Sequence, residues 1–462
     1  REKSRKKCRS AKIHPLTLQI DVALPGWNQA LYKAGRVPYD FYSQFGRGLP
    51  KKESKPASRR APEVQRYDDL RENTGRTGAI AVQNTRKNQG TGRTAPACRA
   101  CGRSRPPVAT AIGLCRQCLA EHFESHRAAW KKASAAARLP FGLPGEVPSG
   151  GERTCRLCGN RCAPVEGMRG YCGLRQVRRG KLVSLAGTGA KGILDWYYDP
   201  LPTNCCADFV CPAGTYKPAG WEQYSYSQGP EHGYRNLAVF YRSCSMGCLY
   251  CQNWHFRQGP HPGGLSALDL ARAVDSRTAC ICFFGGDPST QAAHAIRTAQ
   301  IALRHASGRI LRICFETNGR WNPVLLDRAA RLSFQSGGCI KFDLKAWSPE
   351  VHMALTGFSP EQTRENFERL VPLFQARKEP PFLMAATLLV PGYVTEQEVG
   401  PIARWLASLD RRIPYSLLVF HPHFLLEDLP VTPRRQVEAC LRAAREAGLE
   451  RLHVGNLHLL KD

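Results

Sequence analysis

Three cysteines lie close together in the stretch CSMGCLYC, at positions 244, 248 and 251. Thiolates are the usual ligands of iron–sulfur clusters, and a [4Fe–4S] cube normally takes four of them. Three ligands from one short loop leave one iron open, and an open position lets a metal bind a substrate or cofactor. The pattern predicts a catalytic [4Fe–4S] cluster held by Cys244, Cys248 and Cys251. Three structural or zinc-binding cysteines are the alternative.

Polar signatures follow this loop in order, each at the end of an apolar run. GGD (285–287) ends the run ACICFF, and ETNG (316–319) ends the run that begins at Arg309. The later signatures are DLKA (343–346), VPG (390–392), VFHP (419–422) and VGN (454–456). Such runs are typical of buried strands, and loops after parallel strands build active sites. The signatures therefore belong to the predicted active site.

The cysteine spacing resembles that of the radical S-adenosylmethionine (SAM) superfamily. Tyr250 stands where that family usually has an aromatic residue, and GGD resembles its GGE motif, with Asp287 in place of Glu. The later signatures resemble the pyruvate formate-lyase activating-enzyme-like branch. CQNW (251–254) and the upstream cysteines are most similar to the AmmeMemoRadiSam-system radical SAM proteins. The resemblance covers about residues 152–462.

The resemblance implies reductive cleavage of SAM. The open iron would chelate the amino and carboxylate groups of SAM, and an electron from the reduced cluster would cleave the sulfonium to a 5′-deoxyadenosyl radical. Gly285 and Gly286 would let the backbone approach the SAM amino group, and Asp287 would accept a hydrogen bond from that amine. The alternative for the two glycines is a simple turn.

The resemblance also assigns roles around the rest of SAM. Lys345 would pair with the SAM carboxylate, and Asp343 and Glu316 would bind a monovalent cation or organise this end of SAM. The family often has Asp where Glu316 stands, which weakens the cation role. Asn318 would hydrogen-bond near SAM, and His421 would lie over its adenosyl part. For each residue the alternative is a salt bridge or cap inside a barrel.

A second cysteine group has the spacing C-x2-C-x3-C-x9-C. Its members are Cys155, Cys158, Cys162 and Cys172. Four thiolates could close a zinc site or bind a second iron–sulfur cluster. The sequence favours metal binding here and leaves these two metals open.

A third group consists of two CxxC pairs, CRAC and CRQC. It contains Cys98, Cys101, Cys115 and Cys118. Two such pairs at this spacing predict a four-cysteine zinc ribbon. This module lies outside the family resemblance, and its basic surroundings would suit RNA, DNA or a protein partner.

The remaining cysteines have no standard spacing. Cys205, Cys206 and Cys211 lie in TNCCADFVCPAG and stay unassigned. Four more lie inside apolar strand patterns: Cys280, Cys282, Cys314 and Cys339. Buried cysteine behaves as a small hydrophobe, so we expect these four to be ordinary core residues.

Strand patterns alternate with helical patterns from about residue 236 onward. Six such units predict an α/β fold with a partial (β/α)6 radical SAM barrel and N-terminal cysteine-rich metal-binding modules. The predicted divisions are a basic, mostly disordered tail (1–95), a zinc-ribbon-like module plus helix (96–140), a cysteine-rich extension (150–235) and the barrel (236–462).

Charge is concentrated in the first part of the chain. The whole chain has a formal net charge of +28, and residues 1–95 carry 21 basic and 8 acidic residues, a net charge of +13. A basic segment favours contact with nucleic acid or another polyanion, although a solvated tail is the simpler interpretation. The start of the sequence has no apolar export signal, so we expect cytoplasmic, reduced thiols and no membrane contact.

Three functions remain open at this level. The leading one is a radical SAM enzyme that takes a protein or small-molecule substrate and an electron donor of the flavodoxin or ferredoxin type. The second is a radical SAM enzyme that modifies RNA. The third is a non-catalytic zinc-binding nucleic-acid adaptor, which would leave GGD, ETNG and DLKA unexplained.

Overall fold

The computed structural model describes residues 96–203, 205–215, 221–258 and 263–460. The predicted basic tail (1–95) and its nucleic-acid contact lie outside the described residues. All described residues belong to one unit, residues 90–462.

Most described strands belong to one sheet. The strands are β1 (Arg175–Arg178), β2 (Lys181–Ser184), β3 (Leu194–Pro200), β4 (Arg235–Tyr241), β5 (Thr278–Gly285), β6 (Arg312–Thr317), β7 (Ile340–Asp343), β8 (Leu383–Leu389), β9 (Tyr415–Val419) and β10 (Leu452–Gly455). Eight of them form a sheet in the order β10-β9-β8-β7-β6-β5-β4-β3. Strands β4 to β10 run parallel, and β3 pairs antiparallel with β4. Within the described residues β3 and β10 do not pair, so the barrel is partial.

Most of the described helices follow parallel strands. The helices are α1 (Arg116–Glu121), α2 (Arg127–Ala136), α3 (Ala267–Arg272), α4 (Ala292–His305), α5 (Pro323–Gln335), α6 (Pro349–Thr356), α7 (Glu361–Ala376), α8 (Glu396–Leu409) and α9 (Arg434–Glu446). Ser266 caps α3, since its Oγ accepts a hydrogen bond from Asp269 N at 3.1 Å. In the part of the chain that the structure describes, no helix is both long and apolar enough to cross a membrane.

The predicted α/β class is confirmed. The six predicted units correspond to β4 through β9 and the helices after them. The helix predicted within residues 96–140 is divided in two in the structure, since α1 ends at Glu121 and α2 begins at Arg127. The break between them lets Phe123 stack on Trp130, with ring centroids 5.0 Å apart.

Residues of the parallel strands alternate between two environments. In β5, Ile281 and Phe283 are fully buried in the main core, which includes helix residues such as Ala295 and Ala299. Cys280 and Cys282 face the other way and line a cavity inside the barrel. This alternation is the period of two that a strand imposes. The sheet therefore has an apolar outer face and a cysteine-bearing inner face.

Residues 96–140 pack on the barrel through a shared core. Tyr393 Oη accepts a hydrogen bond from Ala109 N at 3.0 Å and donates one to Leu114 O at 2.9 Å. Arg116 forms a 2.7 Å ion pair with the fully buried Glu398 of α8. Cys98 and Leu119 belong to the same hydrophobic core as the barrel strands. The four-cysteine module is thus fixed against the barrel.

Candidate active site

The predicted cluster loop (244–251) follows β4 at the carboxyl edge of the sheet. Gly247 N donates to Thr356 O at 2.9 Å, and Leu249 N donates to Leu355 O at 3.0 Å, both at the end of α6. Leu425 N, in the loop after β9, donates to Leu249 O at 3.0 Å. Backbone contacts from two separate elements therefore hold the loop in one conformation.

Gly247 allows a close approach to Tyr171. A Cβ atom at position 247 would lie 2.7 Å from Tyr171 Oη and 3.2 Å from Arg138 Cδ. Both partners are almost fully buried. The glycine therefore lets the loop pack closely against Tyr171 of the cysteine-rich extension.

The three thiols of the loop are shielded from solvent. Cys244 is buried, and Cys248 and Cys251 are half-buried. Burial raises the pKa of Cys248 to about 11 and raises the pKa values of Cys244 and Cys251 as well. Thiolates in such a place need a nearby positive charge, which a bound metal supplies.

Several buried donors around the loop lack a protein partner. Among the described residues, these unpaired atoms include Tyr171 Oη, Tyr250 Oη, Arg138 Nη1 and Arg257 Nε. Arg257 also donates to Cys248 O at 3.1 Å, which places it against the loop. An unsatisfied buried donor costs about 1–3 kcal/mol. Sulfides and thiolates accept hydrogen bonds, so these donors fit an iron–sulfur cluster.

The GGD turn brings the end of β5 against the end of β4. Gly285 has a φ of +92°, and a Cβ at Gly286 would lie 2.2 Å from Ser243 O. Gly286 N donates to Tyr241 O at 2.8 Å, and Asp287 N donates to Ser243 O at 2.7 Å. The two glycines are therefore required for strand-end packing beside Cys244. Their predicted approach to a SAM amino group stays a prediction.

Asp287 ties three loops together. Its Oδ1 accepts from Ser289 N, and its Oδ2 accepts from Thr317 Oγ1 and Asn318 N, each at 2.8 Å. Burial raises the pKa of Asp287, although these hydrogen bonds oppose the shift. Both carboxylate oxygens already have protein donors, so Asp287 positions the ETNG loop. Its hydrogen bond to SAM stays a prediction.

Asn318 lies directly against the cluster loop. Its Nδ2 donates to Cys244 Sγ at 3.5 Å and to Ser245 Oγ at 3.0 Å. Asn160 Nδ2 donates to Ser245 O at 2.8 Å from the other side. The structure therefore brings the predicted residue Asn318 to a predicted iron ligand.

Lys345 and Asp343 form an ion pair above the barrel. Lys345 Nζ lies 2.6 Å from Asp343 Oδ2 and 5.9 Å from the ring centroid of Tyr250. Burial disfavours the charged amine, but Asp343 and Tyr250 raise the pKa of Lys345 well above its usual range. A fixed cation thus stands beside the cluster loop.

Glu316 faces the barrel interior. It lies 3.3 Å from Lys341 Nζ, and burial raises its pKa in spite of that cation. The charge of Asp343 contributes to the same upward shift of the pKa of Glu316.

His421 is exposed at the end of β9. Three residues on, Phe424 stacks on Trp254 with centroids 5.4 Å apart, and Trp254 stacks on His255 at 4.0 Å. The loop after β9 therefore reaches the residues that follow Cys251. The predicted contact of His421 with the adenosyl part of SAM stays a prediction.

A family model matches the part of the chain that contains the cluster loop. The family model of the radical SAM superfamily matches residues 238–406. The chain carries a radical SAM domain. The matched range contains the cluster loop, GGD, ETNG and DLKA.

Two relatives extend the comparison. An uncharacterized protein of Methanocaldococcus jannaschii is 22% identical over 312 residues, which are 66% of this chain and 81% of that protein. The pyruvate formate-lyase 1-activating enzyme of Escherichia coli is 27% identical over 136 residues, 28% of this chain. The chain spans 52% of the length of that activating enzyme. The closer likeness to AmmeMemoRadiSam-system proteins stays a prediction.

A solved structure is similar to part of this chain. It is a domain of a pyruvate-formate lyase-activating enzyme from Bacteroides vulgatus, with a TM-score of 0.30 and 19% identity. The similarity covers 38% of this chain and 98% of that chain.

The CRAC and CRQC cysteines lie outside the matched range but form a compact site. The sulfurs of Cys98, Cys101, Cys115 and Cys118 all lie within 4.8 Å of one another. Cys115 N donates to Cys98 Sγ at 3.3 Å. Although burial opposes it, backbone donors lower the pKa of Cys98 to about 6. The arrangement fits one tetrahedral ion such as zinc.

The Cys155 group adjoins the cluster loop of the radical SAM domain. Cys155 N donates to Cys162 O at 2.7 Å, and both side chains pack in one buried cluster with Cys244. Cys158 forms a backbone bridge with Trp321, just after ETNG. Across the described residues, only the Cys98 set brings three or more sulfurs within 4.8 Å. Metal binding by this group, as zinc or as a second iron–sulfur cluster, stays a prediction.

The inner barrel face gathers cysteines that the sequence left unassigned or treated as ordinary core. Cys205 and Cys282 each lie 3.1 Å from Lys341 Nζ. A hydrogen bond from Cys206 and the charge of Lys341 lower the pKa of Cys205 well below its usual range, despite burial. The contact with Lys341 therefore favours the thiolate form of Cys205 inside the barrel.

Sequence reasoning missed three residues that surround the cluster loop. Arg138 stacks over the Tyr171 ring, 3.4 Å from its centroid, and Arg257 donates to Ala137 O at 2.8 Å. Arg138 and Tyr171 come from segments far from the CSMGCLYC motif. Their spacing carries no signal, and only folding brings them together.

Proposed function

We propose that this radical SAM enzyme binds a [4Fe–4S] cluster through Cys244, Cys248 and Cys251 and uses it to cleave SAM. When bound and reduced, the cluster supplies the electron that splits the sulfonium into methionine and a 5′-deoxyadenosyl radical. The radical would then abstract a hydrogen atom from a protein or small-molecule substrate.

One observation carries the proposal. The three-cysteine loop lies in the radical SAM domain, held by α6 and the loop after β9, with unpartnered buried donors around it. Such donors suit an anionic group that carries sulfide and thiolate acceptors. A zinc site built from the same three thiols would not explain the ordered contacts of GGD, ETNG and DLKA.

The other predicted site residues would bind SAM or hold the strand-end loops in place. Lys345 would bind the SAM carboxylate, because a fixed ammonium pairs strongly with a carboxylate. Asn318 and Asp287 would hold the strand-end loops against Cys244, and Glu316 and Asp343 would organise the same end of SAM. His421 would cover the adenosyl part.

The partners follow from this chemistry. Each turnover consumes one electron, so the enzyme needs a donor, for which a flavodoxin or ferredoxin is suited. All described cysteines are free thiols, which suits a reducing compartment such as the cytoplasm. A glycyl backbone in a protein is one substrate class, by analogy with the activating enzymes that this chain resembles.

Modification of RNA is the second candidate function. The compact Cys98 set and the +13 charge of residues 1–95 favour it, because small zinc modules and basic segments commonly bind nucleic acid. RNA that co-purifies with the full chain and is lost at high salt would favour this substrate over a protein.

A cleavage assay tests the proposal. Anaerobically reconstituted chain, given SAM and dithionite, should form 5′-deoxyadenosine, and the Cys248→Ser variant should form none. Ser replaces one of three protein ligands with a poorer ligand for iron. Cys440→Ser changes a buried cysteine of α9 away from the loop and should keep the activity. Equal product from Cys248→Ser and the parent chain would refute the cluster assignment.

A further inference from the structure

A cavity of about 360 Å³ lies inside the barrel, and cysteines form much of its wall. Six of them line it: Cys205, Cys211, Cys280, Cys282, Cys314 and Cys339. Soft thiolate ligands select zinc, copper(I) and iron–sulfur clusters. A lining with this many thiols is therefore unusual for a chamber that holds only an organic substrate.

The strand cysteines are fixed by the sheet. Cys282 of β5 is the register partner of Cys314 of β6. Neighbouring strands lie about 4.8 Å apart, so these side chains leave the inner face side by side.

The loop cysteines approach the strands from the opposite side. Residues 205–211 contact the inner face of the barrel, since Ala207 and Val210 pack on Cys339 and Met384. Phe209 stacks on His453 of β10 with centroids 4.6 Å apart. This contact holds Cys205 and Cys211 over the cavity.

Two cations stand in the cavity wall. Lys341 Nζ lies 3.1 Å from both Cys205 Sγ and Cys282 Sγ. Arg312 also lines the cavity, with its guanidinium 2.8 Å from Glu231. Several thiolates in one buried space repel each other, and nearby cations offset that repulsion.

We propose that this cavity binds an iron–sulfur cluster through Cys205, Cys211, Cys282 and Cys314. The site is separate from the SAM-cleaving cluster and from the Cys98 and Cys155 groups. The proposal goes beyond SAM cleavage and does not depend on it.

The spacing of the sulfurs favours a cluster over a single ion. Within the described residues, no three of these sulfurs lie within 4.8 Å of one another, whereas the Cys98 set does. A cluster is wider than one ion and can bridge ligands on two strands and a facing loop. Lys341 would then donate to the cluster, much as it now donates to Cys205 and Cys282.

The cavity also adjoins the proposed SAM site. Glu316 lines it and lies 3.3 Å from Lys341, while Asp343 follows Lys341 by two residues on the same face of β7. A cluster at this place would face the position where the proposed radical forms. The cluster could therefore contact a substrate in the barrel directly.

Metal analysis of the full chain tests this inference. The double variant Cys282→Ala/Cys314→Ala should lose the iron and acid-labile sulfide of one cluster, about two to four irons per chain, with zinc unchanged. A second variant, Cys205→Ala/Cys211→Ala, should show the same loss and changes only loop residues. Cys440→Ala is the matched control, because Cys440 is fully buried but lies in α9.

Three outcomes would overturn the inference. Iron and sulfide equal to the parent in both double variants would mean that the cavity holds no cluster. Loss of zinc without iron would mean a single-ion site. If only the Cys205→Ala/Cys211→Ala variant retained its iron, Cys205 and Cys211 would not be ligands of the cluster. The parent failing to cleave SAM would refute the proposed function and leave this iron difference unaffected.

Discussion

Lys345 is the residue whose role is easiest to isolate. It lies 2.6 Å from Asp343 and near the Tyr250 ring, and it is not part of the cysteine loop. Lys345→Ala should keep the iron content but weaken SAM affinity about tenfold to a hundredfold, since a charge-assisted hydrogen bond contributes roughly 1.5–3 kcal/mol. Equilibrium SAM binding and iron analysis measure the two effects.

The control for this change is Lys181→Ala, on the exposed strand β2. It removes the same charge from a side chain exposed to solvent and should bind SAM like the parent. High SAM should partly restore cleavage in Lys345→Ala. Parent-like SAM affinity in Lys345→Ala would refute the role taken from DLKA.

Gly247 gives a second prediction at the scale of single atoms. Gly247→Ala places a Cβ 2.7 Å from Tyr171 Oη, and such overpacking costs about 1–3 kcal/mol. The variant should hold less iron, because the cluster loop must shift. Tyr171→Phe removes the clashing hydroxyl, so the double variant should regain iron.

Gly229→Ala is the matched control, since a Cβ there meets nothing within 4 Å. The measurement is the iron content after identical reconstitution. It compares four proteins: the parent, Gly247→Ala, Gly247→Ala/Tyr171→Phe and Gly229→Ala. If Tyr171→Phe gives no recovery, the clash with the hydroxyl is not what limits Gly247→Ala.

At the scale of elements, the four-cysteine module is the clearest test. Cys98→Ser/Cys101→Ser should lose about one zinc per chain and lower the melting temperature, because the module shares a core with the barrel. The SAM-dependent spectroscopic signal should remain. Zinc analysis, thermal unfolding and spectroscopy on one preparation would show all three effects.

Disappearance of the SAM response in that variant would place the module in the catalytic assembly. The route would run through Ala137 and Arg138, which follow the module and contact Arg257 and Tyr171.

The elements themselves were predictable where burial leaves a continuous apolar run. Strands β5 and β8 are buried along most of their length, and their sequences predict them. Strand β3 is half-exposed at an edge, and α6 is only eight residues long. Neither has the long periodic pattern that single-sequence reasoning needs.

The residues of the candidate site also divide into those that the sequence predicts and those that it does not. The cysteine loop and the strand-end signatures are contiguous motifs, so the sequence locates them. Cys280 and Cys282 were expected to be ordinary core, because cysteine counts as apolar in a run such as ACICFF. Only the observed alternation in β5 shows that they face the cavity. Arg138 and Tyr171 reach the loop through tertiary folding alone.

At the scale of the whole molecule, the basic segment can be tested by removal. Deleting residues 1–95 should leave cluster binding and SAM cleavage unchanged, because its composition offers too little apolar surface for a core. Any affinity of the full chain for RNA should fall steeply with salt, since phosphate contacts act by counterion release. Loss of folded protein on truncation would show that the segment supports the barrel.

The proposed function depends on SAM binding to the open iron of the cluster. Electron paramagnetic resonance of the anaerobically reconstituted, reduced full chain tests this most directly. The reduced cluster should give a signal whose shape and g-values change when SAM is added, and Cys244→Ala/Cys248→Ala/Cys251→Ala should lack that SAM-sensitive signal. A reduced cluster whose spectrum is indifferent to SAM would contradict the central claim.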